Sequence, residues 1–245
     1  MIVRQHNKGW EIISQYAHGL LAGKIAAPFQ NLIEDNIWID LLTSIIEHDD
    51  NLPNFNKEDH ITTAGAPMDF TLQEKDLENS YLHATRVYNS SIQKSQFIAL
   101  MVGRHLEFLF KDKTKGHKQF SEFFEHVRSE RKTQLNLYDL NAESLEKYYD
   151  IMRFCDRCSL IICQGLIPSN GRKIEINKTI DNKEYFIMKT GENKLRVTPW
   201  PFAVKNFELQ YESRIVEQLK FKNDEELESQ LQQSGIVINT VEIKK

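Results

Sequence analysis

From Ile33 onward the apolar residues fall four apart. Ile33, Ile37, Leu41 and Ile45 share one helical stripe, which then reaches Asp49 with His48 beside it. The same period predicts helices over Tyr16 to about Ala27, stopped by Pro28, and over about Leu32 to Asp49. Further helices are expected at about Leu72 to Ser91, Gln96 to Phe110, His117 to Thr133 and Ala142 to Gln164. Asn141 suits the N-cap of the last, and Gly165 and Pro168 stop it. Its stripe runs Leu145, Tyr149, Met152, Asp156, Ser159 and Cys163, so a carboxylate interrupts an apolar face.

The period falls to two outside this helical stretch. MIVRQHNKGWEIISQ reads as a hairpin around Asn7-Lys8-Gly9. After Asn170-Gly171 the segments RKIEINKTI, KEYFIMKT, KLRVTPW and ELQYESRIV alternate as antiparallel strands. A short helix (Asp224 to Gln233) and a last strand (Ile236 to Ile243) follow. The expected architecture is α+β and mainly α. One domain spans residues 1–245, with a helical core over about 16–165. A small antiparallel β layer comes from residues 1–15 and 171–245. The stretch from Asp50 to Asp69 is polar and irregular, and long loops of this kind are often functional.

Composition narrows the classes. The chain has 245 residues, 40% of them hydrophobic and 27% charged, as in ordinary globular proteins. No apolar run approaches a membrane span and no apolar leader opens the chain, so the expected compartment is the cytoplasm. A net charge of -4 argues against nucleic acid as a partner. Three cysteines, an odd number, argue against a disulfide framework. Cys155 and Cys158 form a CxxC inside a helical pattern, where packing explains them better than redox or zinc chemistry.

The candidate chemistry lies on the inner faces of the helices. His18, the pair His48-Asp49, His83, His105 and Asp156 come from five predicted helices. Burying any one alone costs several kcal/mol without a partner. Convergence on a divalent cation (iron, manganese or zinc) would offset that cost for all of them. A hydrogen-bonded core histidine is the plain alternative for each one singly.

The order His18, His48-Asp49, Asp156 resembles the HD superfamily of metal-dependent phosphohydrolases, whose all-helical core holds metal through His…His-Asp…Asp. His83 and His105 fall where the dinuclear HD subset, which includes di-iron oxygenases, carries two further histidines. MIVR, ISQYAHG, EHDD, GAPMDF, GRH, CDRCSLIIC and TPWPF together resemble an uncharacterised bacterial family of HD-like proteins, catalogued as a domain of unknown function. That family commonly has Gly-Trp after the His-Asp-Asp, where Asn51-Leu52 stands here.

The resemblance implies an HD-like helical core. It also implies hydrolysis of a small anionic substrate, a phosphorylated metabolite or nucleotide, by water activated on one or two ions. His18, His48, Asp49 and Asp156 would hold the first ion. His83 and His105 would hold a second, with Asp49 as the bridge. Asp50 would orient the water or stay in solvent, and Arg86, three residues after His83, would meet the phosphate. A di-iron oxygenase and a non-catalytic binding protein are the competing expectations. Trp200, between Pro199 and Pro201, is read as a core plug or as a wall beside the metal. The β layer could leave an edge for pairing between chains.

Overall fold

The computed structural model describes residues 1–49, 60–73, 77–111 and 116–245. Ser14 opens the first helix by accepting a hydrogen bond from the Ala17 amide, and α1 runs Gln15–Ala26. Pro28 then tightens the chain into a 3-10 turn, Ala27–Leu32, and α2 follows over Asp35–Glu47. Ile37, Leu41 and Ile45 of the sequence stripe are all buried in the core.

The third helix begins later than its periodicity suggests. Asp69 caps a separate 3-10 turn, Phe70–Leu72, and α3 covers Leu77–Lys94. Ser95 caps α4, Gln96–Phe110, which is buried nearly all round. His117 is the cap of α5, Lys118–Leu137, rather than its first turn. Asn141 caps α6, Ala142–Cys163, as expected. At its far end the Leu166 amide bonds to the Ile161 carbonyl and the Gly165 amide to Ile162. Gly165 sits at φ +67, where a glycine closes a helix without strain.

The β layer is larger than expected and not wholly antiparallel. Its strands are β1 (Ile2–His6), β2 (Gly9–Ile13), β3 (Lys173–Lys178), β4 (Glu184–Gly191), β5 (Lys194–Thr198), β6 (Asn206–Val216) and β7 (Ile236–Lys244). They form one seven-stranded sheet in the order β1-β2-β6-β7-β5-β4-β3. The β5–β7 pair is parallel and the other neighbours are antiparallel. Helix α7, Asp224–Gln233, joins β6 to β7.

The inner face of the sheet and the helices share one core. Ile13, Ile187, Leu195, Leu209 and Ile243 pack into the same cluster as Leu21, Leu41, Met152 and Phe154. Phe202 fills the seam, with its ring 5.0 Å from Phe29 and 5.8 Å from Phe154. Trp200 packs on Phe202 and on Phe207 of β6 and donates its indole N–H to the Val204 carbonyl. A second cluster binds α3, α4 and α5 through Tyr88, Val102, Phe120 and Phe124. None of the helices among the described residues is long and apolar enough to cross a membrane.

Candidate metal centre

Helix α1 approaches α2 closely enough for two of its residues to lack room for a side chain. A Cβ on Gly19 would lie 2.2 Å from the Ile46 carbonyl oxygen, and one on Gly23 would lie 2.4 Å from the Ile46 side chain. The two glycines, one turn apart, let the helix backbones come together beside His18 and His48. Helix α6 packs across both helices, and α4 packs against α2 and α6. Four elements therefore deliver His18, His48-Asp49, His105 and Asp156 to one place.

Two overlapping donor groups result, His18/His48/Asp49 and His48/His105/Asp156, with the ligand atoms of each within 4.8 Å of one another. The Nε2 atom of His18 is 3.7 Å from Asp49 Oδ2 and 3.4 Å from Asp156 Oδ1. The Nε2 atom of His48 is 3.7 Å and 3.3 Å from the same two oxygens. The side chains of His18 and His48 are fully buried, whereas Asp49 and Asp156 are 26% and 19% exposed. The site thus opens on its carboxylate side.

Hydrogen bonds on the outer nitrogens fix which atoms face inward. Nδ1 of His48 lies 2.7 Å from the Ile45 carbonyl oxygen, so it must carry the proton and donate it. Ser159 Oγ donates its single hydrogen to the Asp156 carbonyl at 2.7 Å. At 2.8 Å from His18 Nδ1, that oxygen can then only accept. Both histidines therefore turn Nε2 toward two carboxylates, and neither Nε2 makes a hydrogen bond. Imidazole nitrogens and carboxylate oxygens this close are held together by a proton or by a metal ion. Imidazole nitrogen with carboxylate oxygen is a donor set that suits zinc, iron or manganese, and anchored outer nitrogens are the usual support of metal-ligating histidines.

Electrostatics point the same way. Burial alone would push His48 down, but the Asp49 and Asp156 carboxylates outweigh it and raise it to about 10. Burial opposes ionisation of Asp156, yet His48 and His18 hold it well below the usual carboxylate range, and Asp49 is lowered by the same pair. Without a metal, the site satisfies its carboxylates by keeping a proton on His48. His105 is held down to about 4 by burial and then by its charged neighbour His48, so it is neutral at pH 7. Its Nδ1 lies 3.3 Å from the Tyr149 hydroxyl. With the proton on Nδ1, its Nε2 is open to the site.

Two further sequence candidates lie on α3. His83 is half-buried on α3 and belongs to neither donor group. Arg86 is exposed on the same helix. Asp50, with Asn51 and Leu52, lies outside the described residues. Two other arginines flank the cluster instead. Arg104 stacks 4.3 Å above the Tyr149 ring and grips Glu146 through two hydrogen bonds of 2.7 and 2.9 Å. Arg153 lies 4.6 Å over the ring of Phe108, itself 47% exposed, and 3.7 Å from Asp150. Cys155, Cys158 and Cys163 are buried free thiols whose pKa values burial pushes up, as packing residues require.

Sequence reasoning passed over the functional part of Ser159 and Tyr149, placing both in the apolar stripe of α6. It passed over Arg153, which that stripe skips. It also passed over Gly19 and Gly23, whose spacing of four residues in HGLLAG was a readable sign of close helix approach.

No curated protein and no solved structure matches the chain. A sequence profile does match over residues 1–218, that of DUF3891, a protein family of unknown function. The chain, so matched over most of its length and carrying this cluster between its helices, belongs to the DUF3891 family.

Proposed function

We propose that the protein is a metal-dependent hydrolase of the HD type, acting on a small phosphorylated metabolite or nucleotide. The observation that carries this reading is the pair of buried Nε2 atoms without a hydrogen bond, on His18 and His48, aimed at Asp49 and Asp156. These four residues would hold a divalent ion, and His105 would be a fifth donor. A bound ion of this kind activates water and neutralises charge on a phosphoryl oxygen.

The chain's own residues supply the rest. Ser159, the Ile45 carbonyl and Tyr149 hold the imidazoles in place. The exposed edges of Asp49 and Asp156 make the carboxylate side the entry for substrate. Asp50, next to Asp49 in the chain, is assigned to orienting the attacking water. Arg86, exposed on α3, keeps its assignment to meeting the phosphate. Arg153, held by Asp150 at the side of Tyr149, is a second guanidinium for that role.

The test is phosphate release from a panel of phosphomonoesters, phosphodiesters and nucleotides by protein loaded with manganese, iron or zinc. Hydrolysis should fall about a thousandfold or more in His48→Ala and Asp49→Ala, since several kcal/mol of charge stabilisation is lost with the ion. Metal-loaded protein that turns over no member of the panel would contradict the proposal. Oxygen uptake by the iron form would favour the oxygenase reading, and so would a second ion lost on His83→Ala.

A further inference from the structure

The inward face of the sheet carries a second polar group, away from the metal ligands. Arg4 on β1 donates from Nε to Glu11 of β2 at 2.7 Å, and from Nη2 to the Tyr211 hydroxyl of β6 at 3.4 Å. Asn239 on β7 donates to Glu11 at 3.3 Å and to Ser213 at 2.8 Å. Glu11 and Ser213 are buried, and the Arg4 side chain is 24% exposed. A polar network on the core side of a sheet is costly compared with apolar packing, so its position calls for an explanation.

The network borders a cleft of about 400 Å³. The cleft opens where α6 ends, between the Gly165–Ile167 turn and the tip of the β4–β5 hairpin. Ile162, Ile167, Leu195 and Val241 give it apolar walls. Arg4 and Tyr211 line it, and Lys189 and Glu192 of the hairpin are its other charged residues. Gly165 lies beside Arg4: a Cβ there would be in ordinary contact, 3.5 Å from Arg4 Nη1. Gly165 is nine residues beyond Asp156 in the chain, about 13 Å along the α6 axis at 1.5 Å per residue.

Two of the lining residues have donors to spare. Nη1 of Arg4 makes no hydrogen bond among the described residues, and Nη2 has one hydrogen left after Tyr211. The Tyr211 oxygen already accepts from Arg4, so its own hydrogen is free to donate. Burial pushes the Tyr211 hydroxyl up, which keeps that hydrogen in place at neutral pH. A guanidinium fork beside a phenol donor matches the two oxygens of a carboxylate. The apolar walls and the volume match a small apolar body, as in ordinary ligand pockets.

We propose that this cleft, between the end of α6 and the inward face of the sheet, binds a small monocarboxylate. Its carboxylate sits on Arg4 and Tyr211, and its apolar body lies against Ile162, Ile167 and Val241. The site is separate from the metal centre and does not depend on the function assigned there.

The proposal is tested on the full chain by backbone amide chemical shifts. The probes are hexanoate and benzoate, with hexanamide and benzamide as uncharged controls. At about 10 mM, a range suited to ligands with so few atoms, both acids should shift Gly165, Asn193 and Thr240. The amides should need at least tenfold more. Tyr211→Phe removes only the hydroxyl, and Arg4→Lys keeps a charge for Glu11 but loses the fork. Each should weaken the acids about tenfold while its spectrum remains that of the folded protein. Absence of shifts at these three residues, equal effects of acids and amides, or unchanged affinity in both folded variants would each overturn it.

Discussion

At Ser159 a single hydroxyl proton decides which nitrogen of His18 is basic. The hydroxyl gives that proton to the Asp156 carbonyl, so it holds His18 with Nε2 inward. Ser159→Ala should leave a buried N–H without its acceptor, costing about 1–3 kcal/mol in stability. It should also weaken metal binding roughly 10- to 100-fold, the usual effect of removing a group that orients a ligating histidine. Chelator-competition titration measures the second effect, and an unchanged metal affinity would show that His18 needs no such anchor. At this scale the sequence is legible only in part. His48 and Asp49 stand out because they end an apolar stripe, and Asp156 because it interrupts one. Ser159 and Tyr149 do not, because a small or aromatic residue on a helix stripe looks the same whether it packs or orients a ligand.

Between elements, the decisive distance is that of α1 from α2. Gly19→Ala would drive a methyl group into the Ile46 carbonyl, with 2.2 Å available. The helices must separate, at a cost of about 3 kcal/mol, the upper part of the range for overpacking. His18 moves with α1 and His48 with α2, so the metal affinity should fall with the melting temperature. Thermal unfolding with and without metal checks both, and a variant as stable as the parent would mean that the approach is looser than it stands here. The helices themselves were legible from their stripes and caps, with Asn141 opening α6 and Gly165 closing it. Their limits were less so. Asp69 turns Phe70–Leu72 into a separate capped turn, and it also accepts from the Val3 amide beside β1. That contact spans the chain, so local periodicity could not reveal it.

For the whole molecule, the sheet closes the helical core from one side. Its strands were visible as period-two segments, but their order was not. β7 reaches β5 only after β6 and α7 have been laid down between them, and this produces the one parallel pair among the described strands. The same sheet holds an ion pair with a pH signature. Burial opposes ionisation of Glu11, but hydrogen bonds from Arg4 and Ser213 outweigh it and lower its pKa below the ordinary 4.5. A depressed carboxylate adds stability above its unfolded pKa and loses it as pH falls through the folded one. Melting temperature should therefore drop on acidification below about pH 4.5, and Glu11→Gln should flatten that part of the drop. The same variant should cost about 2 kcal/mol at pH 7, where Arg4 loses a charged partner. An acid limb unchanged by Glu11→Gln would place the acid sensitivity in other carboxylates.

The account rests on a cation between His18, His48, Asp49 and Asp156, and elemental analysis tests that most directly. The full chain, purified without a histidine tag, should carry about one equivalent of iron, manganese or zinc, as expected where the folded ligands form a ready-made site. His48→Ala and Asp49→Ala should lose it while remaining folded by circular dichroism. A full chain that takes up no metal even after reconstitution, with both variants as stable as the parent, would contradict the account and leave the cluster as a proton held between buried histidines and partly exposed carboxylates.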